Sequence, residues 1–589
     1  MFYLFRHLKK GDYFKLFISL GLIVAQVWLE LKMPDYTKNL TTTINSGSAN
    51  MHSIWQNGGL MLACAAGSLV ASVFCNIIIS NVASGFSRTL RERLFYTIED
   101  FSRAEMKKFS SASLITRTTN DVVQVQNFMA MGIQLLFKAP IMAIWAICKI
   151  STTDISLTMA ALISVVLIVV SLSILVGINL SRFKKIQKLT DKTNLITQES
   201  VSGVRVIRAF NAENFEEEKF EQTNKELTSN HLFTSRTMGL INPLLTLIMN
   251  GLNLAIYFIG AILINNIAFN GDINATAIAR ATELGNLTAF TQYANLVVTS
   301  FMMLVFIFII LPRVLVSANR IKEVLKTKST IADGTFNGET ATKGLVEFKN
   351  VCFKFGDSGE GEMALKNINF SAQSGQTIAI IGATGSAKTT LINLISRVYD
   401  VSSGEILVDG KNVKDYSLKA LNAKIAVASQ RASLIKGTIK DNVCLGAKNI
   451  DEEKLEKALK TAQADFVFEL EKGTESEVSQ GGTNFSGGQK QRISIARALY
   501  KNAEILIFDD TFSALDYKTD MLARKAIKEN YKDTTIFIVA QRIGTIKNAD
   551  KILVLDNGEI VGQGTHEELL KSCKVYSEIA LSQLNKEEL

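Results

Sequence analysis

The chain has 589 residues, 47% of them hydrophobic, and a mean hydropathy of +0.19. This length exceeds what one core supports and the hydropathy is high for a soluble protein, so we expect at least two domains, one of them in a membrane. The net charge of +9 would suit nucleic acid, but the basic residues cluster between apolar runs, which is typical of cytoplasmic loops and argues against a nucleic-acid partner. The six cysteines are scattered without a CxxC pair, which indicates neither a disulfide framework nor a zinc site.

Apolar runs long enough to cross a bilayer fill the first 325 residues. They predict six transmembrane helices, near residues 15–34, 58–85, 132–150, 157–180, 238–264 and 287–316. The charged stretches 86–131 and 181–237 have helical patterns, and we expect them to extend spans two to five into the cytoplasm. The Lys and Arg bias places both termini on that side. A longer outer loop is predicted over 265–286, and the sequence assigns it no function.

The second half of the chain has a different character. Residues 326–345 are polar and predict a linker, and from Val346 onward short apolar segments alternate with helical ones. This alternation predicts an α/β domain over 346–589 with a largely parallel sheet, buried on both faces. The strand-like segments are TIAIIG, KIAVAS, EILIFD and TIFIVA.

The segment IAIIGATGSAKTTL, residues 378–391, has the pattern of a strand, a glycine-rich turn and a helix start. It matches the phosphate-binding loop GxxxxGK[ST], except that Ala387 replaces the last glycine. In such a loop main-chain N–H groups surround the phosphates, Lys388 reaches the β- and γ-phosphates and Thr389 binds Mg²⁺. An ordinary strand-to-helix turn is the alternative, and the Lys-Thr-Thr run disfavours it. The predicted nucleotide contacts here are Gly382, Ala383, Thr384, Gly385, Ser386, Ala387, Lys388, Thr389 and Thr390.

A second motif, NFSGGQKQRISIARAL, lies between this loop and an aspartate, Asp509, at the end of a predicted strand. With these motifs the whole chain resembles the ATP-binding cassette (ABC) family, in its exporter branch. The resemblance implies a membrane all-α domain of six helices, of the type I/IV exporter kind, followed by an α/β P-loop nucleotide-binding domain. In this family two cassettes pair head to tail, so that the signature motif of each closes over the ATP of the other. The signature residues that match are Ser486, Gly487, Gly488 and Gln489.

The resemblance also assigns roles to single residues. Phe355 is similar to the aromatic residue that stacks on adenine, and Gln430 to the glutamine that links the metal site to the membrane domain. Thr389, Gln430 and Asp509 are then the Mg²⁺ ligands. The tips of the loops at 86–131 and 181–237 match the coupling helices of the family.

Three residues depart from the family pattern around the γ-phosphate. Asp510 stands where the family has the glutamate that orients or deprotonates the attacking water, Gln541 replaces a histidine, and Ala387 replaces a glycine. All three belong to the half-site of this chain's own core, whereas the signature is intact. The chain therefore resembles the degenerate-site subunit of heterodimeric bacterial multidrug exporters. A slow homodimeric exporter and a lipid flippase remain alternatives, and an ATP-gated channel is disfavoured because the spans lack a continuous polar lining.

The resemblance implies ATP and Mg²⁺ as cofactors and a second ABC half-transporter as partner. It also implies a multi-pass location in the bacterial plasma membrane with the cassette in the cytoplasm. The mostly apolar spans favour a hydrophobic or amphipathic small-molecule substrate.

Overall fold

A computed structural model describes residues 2–46, 51–151, 153–267, 273–355 and 362–583. The chain forms two compact units. One comprises Met1–Glu99 and Ser111–Thr327, and the other comprises Asp100–Ser110 and Lys328–Leu589. The short segment 100–110 therefore belongs to the second unit, although it lies within the helical half of the sequence.

Within the described residues, six helices are long and apolar enough to cross a membrane, which confirms the six predicted spans. They extend well beyond the predicted apolar runs. The longest has 55 residues, which is about 80 Å of helix, whereas the hydrocarbon core of a bilayer is ~30 Å thick. The helices of this half are α1 (Phe2–Phe5), α2 (Lys10–Asn45), α3 (Met51–Glu99), α4 (Arg103–Phe109), α5 (Ser111–Ile150), α6 (Ile155–Ala209), α7 (Glu213–Asn265) and α8 (Ile273–Lys326).

The prediction of a longer outer loop over 265–286 is wrong, because α8 already begins at Ile273. The sequence there, INATAIARATELGN, is rich in helix-forming Ala but too polar to count as an apolar span. Residues 268–272 of the predicted loop lie outside the described residues.

A few polar contacts tie the apolar helices together. Lys149 on α5 forms an ion pair with Asp35 on α2 at 2.9 Å, and the Tyr293 hydroxyl of α8 donates to the same carboxylate at 2.6 Å. Lys138 pairs with Glu30 at 2.9 Å. Between apolar helices such polar contacts help to specify which helices meet, in addition to the packing of their side chains.

Within the described residues, the second unit contains three sheets. The first has the strand order β12-β11-β3-β10-β9-β6, in which all neighbours are parallel except β12. The second is antiparallel, with the order β2-β1-β4-β5, and β7 pairs with β8 separately. The strands are β1 (Val346–Lys354), β2 (Met363–Ala372), β3 (Thr377–Gly382), β4 (Ser403–Val408), β5 (Lys411–Asn412), β6 (Ile425–Ala428), β7 (Gly437–Thr438), β8 (Glu477–Val478), β9 (Ile505–Asp509), β10 (Thr535–Val539), β11 (Lys551–Asp556) and β12 (Glu559–Gly564).

Helices cover the parallel sheet. Every residue of β3, β9 and β10 is buried, as the α/β prediction requires of strands with both faces covered. The helices are α9 (Lys388–Ile395), α10 (Leu418–Lys424), α11 (Ile439–Val443), α12 (Glu452–Thr461), α13 (Gly487–Lys501), α14 (Tyr517–Asn530), α15 (Ile543–Ile546), α16 (His566–Ser572) and α17 (Lys574–Gln583).

The segment predicted as a linker contacts the α/β fold. Phe336 packs edge-on against Tyr416 at 5.0 Å between ring centroids, and its N–H donates to the Asp415 carbonyl at 2.9 Å. Thr340 lies beside a buried charge cluster in which the Lys424 ammonium contacts Asp409 at 2.8 Å and Glu504 at 2.7 Å. The side chain of Asp409 is 0% exposed. Burial by itself would lower the pKa of Lys424, but the hydrogen bonds to the two carboxylates outweigh it and raise that pKa.

Removing the Lys424 ammonium is expected to destabilise the second unit strongly, because it leaves the buried Asp409 carboxylate without its cation. We predict that Lys424→Met costs about 3–5 kcal/mol, which lowers the unfolding midpoint of this unit by roughly 10 °C in scanning calorimetry of the full chain. Lys419→Met is the matched control, because Lys419 lies on the same helix and is exposed. Equal midpoints for the two variants would contradict the prediction.

Candidate nucleotide-binding site

The loop between β3 and α9 has the geometry of a phosphate-binding loop. The Lys388 ammonium folds back over it and donates to the carbonyl oxygens of Gly382 and Ala383, both at 2.8 Å. Gly382 is required by space, since a Cβ there would lie 2.1 Å from the Leu555 carbonyl oxygen. Burial lowers the pKa of Lys388, and the nearby carboxylates of Asp510 and Asp509 partly oppose this. The loop thus places one cation and the first N–H groups of α9 together, an arrangement that binds polyphosphate.

Ala387 immediately precedes α9 with a φ of +71° and a ψ of 24°. This left-handed conformation is easy for glycine, but in alanine the Cβ crowds the backbone. The chain therefore keeps the loop geometry of a GxxxxGK sequence even though the glycine itself is missing. The cost is local backbone strain beside the proposed phosphate position.

Thr389 and Asp509 form a pair of oxygen ligands of the kind that Mg²⁺ prefers. The Thr389 hydroxyl donates to the Asp509 Oδ1 at 2.9 Å, and Asp509 is buried. Burial raises the pKa of Asp509, as does Asp510, while the hydrogen bond from Thr389 and the cations Arg103 and Lys388 lower it. Within the described part of the chain no three His, Cys, Asp or Glu side chains form a metal site by themselves. Such a sparse set suits Mg²⁺, which usually takes its other ligands from phosphates and water.

The Gln430 side chain contacts Asp510, and it lines the same cleft as Thr389 and Asp509. The Gln430 amide donates to the Asp510 Oδ2 at 3.2 Å, and the Gln541 amide donates to the same oxygen at 3.1 Å. Asp510 is 8% exposed and has a left-handed φ of +48°. One carboxylate oxygen is thus held between two neutral amides, a contact that no local sequence pattern signals.

Most of the predicted nucleotide residues line one cleft of about 840 Å³. Its predicted lining residues are Phe355, Thr384, Gly385, Ala387, Lys388, Thr389, Thr390, Gln430, Asp509, Asp510 and Gln541. Sequence reasoning missed a second group of lining residues, which lie in or just before β2, at the end of β10 and in the turn after β11. They are Glu362, Met363, Ala364, Lys366, Val539, Asn557 and Gly558. These residues enter the cleft through sheet topology and carry no motif of their own.

The signature residues do not line this cleft. Ser486 caps α13 through a reciprocal pair, in which its hydroxyl accepts from the Gln489 N–H at 3.3 Å and its own N–H donates to the Gln489 side chain at 2.9 Å. Ser486 and Gly487 are exposed. The helix start is therefore preformed and accessible to another molecule, and its signature residues lie outside the cleft.

Comparison with known proteins identifies the family. Residues 16–301 match the ABC transporter transmembrane region, and residues 365–513 match the ABC transporter family. The chain belongs to the ABC transporter family. An uncharacterized ABC transporter ATP-binding protein of Mycobacterium tuberculosis is 36% identical over 530 residues, covering 89% of this chain and 87% of the relative. The ATP-dependent lipid A-core flippase of Pseudomonas fluorescens is 31% identical over 523 residues, with 88% and 84% covered.

A solved structure shares the fold of the whole ABC transporter chain. A bacterial Atm1-family ABC exporter with ATP bound superposes with a TM-score of 0.79 at 22% identity, covering 97% of this chain and 98% of that one. The predicted fold class is confirmed: a six-helix membrane domain is followed by an ABC nucleotide-binding domain. The protein is thus a multi-pass, ATP-binding half-transporter with the exporter fold.

Replacing Ala387 by glycine is expected to relieve the strain at its left-handed position. The gain of roughly 1–2 kcal/mol from the relieved backbone, less the greater freedom of glycine in the unfolded chain, leaves Ala387→Gly about 1 kcal/mol more stable. Thermal unfolding of the purified transporter measures this change. Ala383→Gly, in the same loop without a left-handed φ, serves as the control and is expected to gain nothing. A loss of stability in Ala387→Gly would show that the methyl group contributes more by packing than it costs in strain.

Proposed function

We propose that this chain is the degenerate-site subunit of a heterodimeric ATP-driven exporter in a bacterial plasma membrane. The observation that carries the proposal is the Asp510 carboxylate, held by the amides of Gln430 and Gln541 at 3.2 and 3.1 Å. In the partner, a glutamate and a histidine would occupy the corresponding places. The signature of this chain would then complete the competent site of the partner.

Two features would slow hydrolysis of the γ-phosphate: the short side chain of Asp510 and its contact with the two amides. Asp510 is shorter than glutamate by one carbon–carbon bond, about 1.5 Å, which is comparable to the whole tolerance of a hydrogen bond to an attacking water. Gln541 donates and accepts hydrogen bonds but cannot carry charge. A misplacement of about 1 Å can cost on the order of a hundredfold in rate.

ATP binding does not require the acid and the histidine that hydrolysis requires. We infer that the triphosphate lies against the loop 382–387 and Lys388, with Phe355 against the base. Thr389 and Asp509 would hold Mg²⁺, which neutralises phosphate charge when bound. None of these residues except Ala387 departs from the family pattern. The half-site would therefore bind ATP and keep two cassettes together while turning over slowly.

Transport would follow from binding energy. Two cassettes would close over ATP and open again after hydrolysis at the competent site. Closing and opening would shift the membrane helices between inward- and outward-facing arrangements. Hydrophobic or amphipathic compounds are the proposed substrates, since the spans are mainly apolar. The 31% identity to a lipid A-core flippase favours a lipid-like amphipath as the second candidate. A slow homodimer is the alternative assembly.

Restoring the family residues is expected to accelerate hydrolysis by the chain without a partner. We predict that Asp510→Glu combined with Gln541→His raises its ATPase rate on the order of a hundredfold, since the acid regains its reach. Phosphate release by the purified protein in lipid nanodiscs gives the rate. Asp510→Asn with Gln541→His is the control, which keeps the histidine but has no acid. Brisk hydrolysis by the unmodified lone chain would contradict the proposal.

Two variants of this chain are expected to behave oppositely when it is purified with its partner. Asp510→Asn leaves turnover within about twofold, because hydrolysis occurs at the other site. Gly487→Asp abolishes turnover, by on the order of a hundredfold or more, because a carboxylate would face the partner's triphosphate. Among the described residues, nothing apart from its chain neighbours and its own helix backbone lies within 4 Å of a Cβ at Gly487, so the added side chain has space. In a homodimer both variants would be inactive.

A further inference from the structure

Helix α4 lies in the same compact unit as the nucleotide-binding domain, although its sequence neighbours are α3 and α5. It is anchored at its start, where the Glu105 carboxylate accepts from the Thr330 N–H at 3.3 Å and the hydroxyls of Ser102 and Thr330 lie 3.2 Å apart. Glu105 is buried, and Phe101 stacks on Phe109 at 5.7 Å between centroids. The position of α4 relative to the nucleotide cleft is therefore fixed by specific contacts.

Lys107 of α4 covers the aromatic residue proposed to stack on adenine. Its ammonium lies 5.4 Å from the centroid of the Phe355 ring, within the distance of a cation–π interaction. Phe353 and Tyr399 pack perpendicular to the same ring, at 4.9 and 5.5 Å between centroids. Phe355 is still 44% exposed with these three neighbours in place, so the ring is accessible to a base, and Lys107 is the one charged group among the three.

The neighbouring lysine lies differently. The Lys108 ammonium lies 5.6 Å from the ring of Phe109, on α4 itself. The two lysines share a helix, a charge and an exposed position, but only Lys107 contacts a residue that lines the cleft. The chain thus supplies its own control for the effect of charge alone.

We propose that Lys107 competes with the adenine base for Phe355 and is displaced when nucleotide binds. The ammonium occupies Phe355 until a base stacks there, so the affinity for ATP is reduced by the strength of the cation–π contact. This inference rests on the proposed adenine contact of Phe355, and it does not depend on which partner the chain has.

Binding to the full chain in nanodiscs tests this competition without hydrolysis. The probes are Mg²⁺ with a non-hydrolysable ATP analogue, and Mg²⁺ with tripolyphosphate, which has the phosphates but no base. Lys107→Met is expected to tighten binding of the analogue by about two- to fivefold relative to tripolyphosphate, the size of an exposed cation–π contact. Lys107→Arg retains the contact and the wild-type ratio, and Lys108→Met leaves the ratio unchanged.

A double-mutant cycle assigns the effect to the ring. In a Phe355→Ala background the gain from Lys107→Met is expected to vanish, because there is no ring left to compete for. Equal weakening of both ligands by Lys107→Met would overturn the proposal and make Lys107 a general attractor of phosphate, and an unchanged ratio would also overturn it. If Phe355→Ala alone leaves the ratio of analogue affinity to tripolyphosphate affinity unaltered, the assignment of Phe355 to adenine is wrong. This outcome is distinct from any result on partner pairing or hydrolysis.

Discussion

The parallel pairing of β10 with β3 on one side and β9 on the other determines the nucleotide site. Val539 of β10 stands opposite Ile380 of β3 and opposite Asp509 of β9, so the carboxyl ends of three buried strands meet at one edge of the sheet. The phosphate-binding loop follows β3, Asp509 ends β9 with Asp510 directly after it, and Gln541 comes shortly after β10. Burial of the apolar strands, and not attraction between these polar groups, brings the groups to the same edge of the sheet.

This arrangement lets residues at the strand ends depart from the family pattern while the sheet keeps its fold. Asp510 and Gln541 follow strand ends and are not part of the hydrophobic core, whereas the methyl group of Ala387 packs against it. Two of them occupy left-handed backbone positions, at φ values of +71° and +48°. Aspartate tolerates this conformation better than most residues, whereas alanine does not. The loop at Ala387 is therefore the strained member of the set.

Local pattern was enough to predict much of this ABC transporter. Length and hydropathy mark six spans, and each motif of the cassette is a short segment whose glycines and charged residues have a direct physical role. Pattern failed where contacts are long-range or where composition is mixed. Helix α8 begins at Ile273 because alanines support a helix that is not apolar, and Gln430 contacts Asp510 because β6 neighbours β9. The cleft residue Lys366 and the pairing of Lys107 with Phe355 likewise depend on which elements meet in space.

The order β10-β9-β6 also accounts for the way Asp510 is held. Gln541 follows β10, Asp510 follows β9 and Gln430 comes just after β6, so the two amides approach the acid from the strands on either side. An acid that must activate water needs an oxygen free to accept from it, and here Oδ2 already accepts from both neighbours, which leaves only Oδ1 for that role. Lengthening the acid alone would still leave those two amide donors at the same edge. We infer that reach and amide contact act together, because each lowers the chance that Asp510 meets a water in line with the phosphate.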